Sequence, residues 1–108
     1  MIVLVNPNLI RKGFSGITFW PFVILKEQHL KEDDVFMNHE RIHLRQQLEL
    51  LIVFFYLWYS LEFLVRWLQL GNRRKAYYAI SFEQEAYKKE KDLNYLQKRP
   101  YWGFTKYL

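Results

Sequence analysis

From Asp33 to Leu70 the chain contains neither glycine nor proline, and most residues in that run are good helix formers. No turn chemistry interrupts it, so a large part of the 108 residues must be helical. Asp33 or Asp34 supplies a cap whose charge suits the positive end of a helix. Gly71-Asn72 ends the run, because glycine takes the left-handed conformation cheaply. A second helix is expected over 73–96, and Pro100 prevents its continuation. Upstream, Ile2-Val3-Leu4-Val5 is apolar and β-branched until the turn-forming Asn6-Pro7-Asn8. Ile17 to Leu25 reads as another strand, which Pro21 confines to an edge or a bulge. A β portion over 1–30, helices over 33–70 and 73–96, and an aromatic tail over 100–108 make an α+β class in one domain.

The hydrophobic share of 51% and the aromatic share of 19% exclude a disordered chain. The absence of cysteine removes disulfides, thiolate metal sites and thiol nucleophiles, and is compatible with a cytoplasmic location. The net charge of +5 comes from dispersed basic residues that read as a solvated face, so no nucleic-acid partner is expected. Met1 to Val5 lacks the basic leader of a cleavable signal. Leu50 to Leu61 carries no charge, but spanning takes about 20 apolar residues. That stretch is expected to be a core helix or an interfacial one, with membrane-surface contact through residues 50–70. Glu62 and Arg66 lie at i, i+4 and can pair.

Inside the glycine-free run lies His39-Glu40-Arg41-Ile42-His43. Four residues turn a helix through about 400°, so the two imidazoles share one face and can both reach one tetrahedral zinc. Glu40 sits close to such an ion without being placed to ligate it. There it can take a proton from a zinc-bound water and pass it to a leaving amine. The bland alternative is a surface helix with two ordinary histidines. A chain with three His and eight Glu gives this pattern by chance only about once in a few hundred shuffles. A catalytic zinc has three protein ligands and an open position. Without cysteine, the third is His29, which lies awkwardly upstream, or a carboxylate. Glu83 is the better placed, on a helical face shared with Ala86, Tyr87 and Glu90, and nothing local separates it from Glu85.

HExxH followed by a helical Glu-x-x-Ala resembles the gluzincin group of zinc metallopeptidases. That group includes membrane-bound prenyl-protein endopeptidases, antibiotic-sensing membrane peptidases and the small soluble minigluzincins. The resemblance covers residues 33–47 and 81–90. It implies a zincin-like fold and Zn2+ held by His39, His43 and Glu83, with Glu85 as the substitute for Glu83. It further implies peptide-bond hydrolysis with Glu40 as general base. A peptide or protein substrate would lie extended along a sheet edge above the metal, a place that Ile17–Leu25 fits. Tyr77, Tyr78 and Tyr87 are candidates to stabilise the oxyanion. Many relatives carry an Asp after the Ala to support a ligating His, whereas this chain has Tyr87.

Two other classes bear on the same residues. Glu40-x-x-His43 matches half of a di-iron bundle site, but no second such motif is present. A non-catalytic zinc-binding or membrane-associated interaction protein would instead rely on residues 50–70 and the tail. Chain distance adds a constraint of its own. A straight helix over 33–70 and a hairpin at Gly71 would leave His43 and Glu83 about 24 Å apart along the axis. Glu83 can reach the histidines only if the apolar stretch breaks near Leu51–Phe55.

Overall fold

The computed structural model describes residues 1–108 and is α+β, with a small sheet followed by helices. Strand β1 (Ile2–Val5) pairs parallel to β3 (Phe22–Leu25), and β2 (Gly16–Phe19) pairs antiparallel to β3, giving the order β1-β3-β2. The single strand expected over Ile17–Leu25 is therefore a hairpin. Trp20 and the cis-linked Pro21 form its turn, where the missing proline N–H removes no ladder bond. The edge position holds for β2, while β3 is central. Thr18, Val23 and Leu25 point inward and are buried; Ile2, Leu4, Ile17 and Phe19 leave the outer face exposed.

Helix α1 (Asp34–Glu49) is capped by the Asp33 carboxylate, which accepts from the Phe36 N–H at 3.0 Å. Its Met37 and Leu44 pack with Val23 and Leu25, which fixes the helix beneath the sheet. The break expected near Leu51–Phe55 falls at Leu50–Ile52, and α2 (Val53–Leu70) departs at 110° to α1. The Ile52 N–H bonds the Gln47 carbonyl at 2.7 Å and the Leu51 N–H bonds the Leu48 carbonyl at 3.2 Å. These are the two bonds of a Schellman motif, closed here with Leu51 rather than glycine in the left-handed region, at φ 56°. Ile52, at φ 67°, then turns the chain sharply, with the Val53 N–H on the Leu51 carbonyl at 2.7 Å. No single helix is long and apolar enough to cross a membrane.

The helix expected over 73–96 is instead three: α3 (Arg73–Ala79), α4 (Ser81–Lys89) and α5 (Tyr95–Lys98). The break at Ile80 is stabilised from α2. Glu62 accepts from the Ser81 N–H at 2.5 Å and from its hydroxyl at 2.6 Å, so a carboxylate from another helix satisfies the start of α4. Ile80 is extended there, and α4 turns to run against α1. Arg66 approaches Glu62 at 3.9 Å, a looser contact than those to Ser81. A final 3-10 segment, Gly103–Tyr107, carries Phe104 into a core with Leu50, Phe55, Ile80 and Phe82, which docks the aromatic tail. Gly103 is needed at that passage: a Cβ would come within 2.5 Å of the Glu85 carboxylate.

Candidate metal centre

Helix periodicity puts His39 and His43 on the side of α1 that faces α4, and the small Ala86, packed on Ile42, lets α4 come close. The His39 and His43 Nε2 atoms lie 3.2 Å apart. Glu83 Oε1 is 3.0 Å from the His43 Nε2 and 3.6 Å from that of His39. All three side chains are buried, and their donor atoms form one compact group. Atoms about 2.05 Å from a common tetrahedral ion stand about 3.3 Å from one another. The observed separations bracket that value, so two imidazole nitrogens and a carboxylate oxygen could hold a metal ion.

The electrostatics are those of a tight acid–base pair. Burial alone would lower the His43 pKa, but the Glu83 carboxylate outweighs it and raises the value to about 9. Burial would likewise raise Glu83, yet His43 and His39 hold it well below the usual carboxylate range. A metal ion and the His43 proton therefore compete for the same oxygen and nitrogen.

The neighbours orient these groups. Gln46 donates from Nε2 to the Phe82 carbonyl at 3.0 Å and to Glu85 at 2.8 Å. Its Oε1 is thereby turned to accept from His43 Nδ1 at 2.8 Å, which leaves Nε2 as the nitrogen facing the group. Tyr59, on α2, donates its hydroxyl to Glu83 Oε2 at 2.7 Å. Burial and the Glu83 charge push that phenol far up, so it remains a donor. Glu40 is buried and accepts a short hydrogen bond from the Thr18 hydroxyl on β2, which fixes the carboxylate beside the histidines.

Other candidates lie elsewhere. His29 is exposed and pairs with Glu27 at 3.0 Å. Glu85 points away from the histidines, to Arg99, Tyr95 and Gln46. Tyr87 sets its ring against His39 at 4.4 Å between centroids, and the Glu90 carboxylate stands 3.8 Å from His39 Nδ1. Tyr77 and Tyr87 share a hydrogen bond of 3.1 Å, and burial with the Glu83 charge pushes the Tyr77 phenol up; Tyr78 is exposed. Sequence reasoning missed Thr18, Gln46 and Tyr59. Gln46 stands three residues after His43 on a helix, and Thr18 is the lone polar residue of Ile17-Thr18-Phe19, so both carried a readable signal. Tyr59 had none.

The free edge of β2 is partly taken. The Gln47 amide donates to the Thr18 carbonyl at 2.8 Å and accepts from the Trp20 N–H at 2.6 Å, as a peptide of a fourth strand would. Tyr56 adds a hydroxyl on the same carbonyl at 2.9 Å. No protein family, curated protein or solved structure matches the chain.

Proposed function

We propose that the chain is a zinc-dependent metallopeptidase on a zincin-like scaffold of the gluzincin kind. The observation that carries this reading is the convergence of His39, His43 and Glu83 at tetrahedral separations, one residue from a buried carboxylate, Glu40. A bound zinc would supply Lewis acidity toward water and a substrate carbonyl. Glu40 accepts the proton of the attacking water and delivers it to the departing amine. Thr18 holds the Glu40 carboxylate in place and Tyr59 holds that of Glu83. Gln46 keeps the His43 Nε2 turned inward. The extended substrate runs beside β2 from Gly16 to the Thr18 N–H, because Gln47 and Tyr56 occupy the edge from the Thr18 carbonyl onward.

Metal analysis of the purified protein tests the site, with one zinc per chain expected and none in His43→Ala. Iron in place of zinc would redirect the chemistry, since two histidines and a carboxylate also suit non-haem iron. Glu40→Gln keeps the metal, because Glu40 is no ligand, and lowers peptide hydrolysis by at least about a hundredfold. Undiminished cleavage by Glu40→Gln would overturn the role given to that residue. A second reading, a metal-binding protein without turnover, draws on the near-complete burial of the donors and on the Thr18 bond to Glu40. It predicts bound zinc with no hydrolysis of any peptide library by the wild type.

A further inference from the structure

Helix α2 turns apolar side chains both ways. Phe55 and Tyr59 face the core, while Phe54, Leu57, Leu61, Leu64, Val65 and Leu68 are each at least 51% exposed. Their spacing of three and four residues makes a single stripe about 21 Å long. Leu108 of the tail joins Phe54, Leu57, Trp58, Leu61 and Val65 around a groove of ≈ 550 Å³ on that side. A stripe of this kind normally faces a core, and an exposed one marks an interaction surface.

Charge identifies the occupant. Between Leu50 and Ile80 the only acid is Glu62, whose carboxylate is 9% exposed and turned onto Ser81. The same residues carry four cations, Arg66, Arg73, Arg74 and Lys75, so four less one leaves +3 of the chain's +5. Arg73, Arg74 and Lys75 are exposed just past the end of the stripe, with the Arg73 guanidinium 5.8 Å over the Trp67 ring. Two copies meeting on this face would set +3 against +3, whereas a negatively charged surface complements it. We propose that α2 lies flat on an anionic lipid surface. The Phe54–Leu68 stripe is buried at the boundary of headgroups and acyl chains, and Arg73, Arg74 and Lys75 sit among the headgroups. At 18 residues, with Glu62 and Arg66 at its middle, the helix suits lying in that plane better than crossing it. The inference is independent of any metal.

Flotation of the full-length protein with vesicles tests it. Phosphatidylcholine vesicles containing phosphatidylserine should bind at least about tenfold more tightly than phosphatidylcholine alone, with the difference lost at high salt. Leu57→Ser with Leu61→Ser should weaken binding at least about tenfold while the thermal melt is unchanged, both side chains being exposed. Arg73→Gln with Arg74→Gln and Lys75→Gln should remove the preference for phosphatidylserine. Ile17→Ser, on the outer face of the sheet, should leave binding as it was. Tryptophan fluorescence of the wild type should shift to the blue on phosphatidylserine vesicles. Equal binding to both vesicle types, no binding to either, or loss in Ile17→Ser alone would overturn the proposal. So would a dimer in sedimentation that Leu61→Ser dissolves and vesicles do not.

Discussion

Gln46 has one amide and three partners, and the order in which they are satisfied decides the chemistry of His43. The two protons on Nε2 are claimed by the Phe82 carbonyl and the Glu85 carboxylate, so the oxygen has only the imidazole Nδ1 to face. A ligating histidine held in this way keeps its tautomer and ring orientation when the ligand set is loaded. Gln46→Met keeps the volume and removes all three bonds. Zinc affinity should fall by about 10–100-fold, read by competition with a chromophoric chelator. The His43 Nδ1, left without its acceptor in a buried site, should cost a further 1–3 kcal/mol of stability, roughly. Unchanged affinity would mean that α1 alone orients His43. At this scale helical spacing made the shared face of His39 and His43 legible, whereas Glu83 was set apart from Glu85 only by the resemblance. The sequence was silent where the partner comes from a distant element, as Tyr59 does from α2.

Two of the breaks in the expected helices, at Leu50–Ile52 and at Ile80, differ in what announces them. The one at Leu50–Ile52 follows from distance, since Glu83 cannot meet His43 unless the chain turns back, although no glycine or proline marks it. The one at Ile80 has no local sign at all, because the Glu62 carboxylate that makes it possible lies 19 residues away. The first break carries a testable local cost. Leu51 occupies a left-handed position at φ 56° where glycine is the usual residue, and it is 72% exposed, so little packing is at stake. Holding a non-glycine residue there costs about 1–2 kcal/mol, against about 0.5–1 kcal/mol for the extra freedom of glycine in the unfolded chain. Leu51→Gly should therefore raise stability by up to about 1 kcal/mol, seen as a higher urea midpoint with an unchanged slope. Leu51→Val, β-branched in the same position, should lower it. A loss of stability in Leu51→Gly would show that the leucine side chain holds the corner by contact.

On the scale of the molecule, one buried ion network joins parts that the sequence keeps far apart. Arg99 reaches Glu85 on α4 through Nε at 2.5 Å and Nη2 at 3.0 Å, and Glu49 at the end of α1 through Nη1 at 2.9 Å. Tyr95 adds its hydroxyl to Glu85 at 2.6 Å, and the tail passes over the same carboxylate at Gly103. Tyr95 and Arg99, the C-cap of α5, stand at i, i+4, but no spacing rule points to their partners, Glu85 on α4 and Glu49 on α1. Its Arg99 and Glu85 side chains are fully buried, so removing one partner strands the other. Arg99→Met should cost about 3–5 kcal/mol near neutral pH, whereas Arg99→Met with Glu85→Gln should recover much of it. The pH dependence separates this from lost packing. Burial would raise the Glu85 pKa, but Arg99, Tyr95 and Gln46 hold it below its ordinary 4.5. A depressed folded value means that the contribution is complete above 4.5 and is lost only as pH falls through that lower value. Without Arg99 the sign reverses: burial raises the carboxyl, which takes up a proton on folding, so acid favours the folded variant. The stability gap between wild type and Arg99→Met should therefore narrow between about pH 7 and about pH 4 in urea melts. A gap that stays constant over that range would assign the loss to the packing of the arginine stem, and the carboxylate would have no part in it.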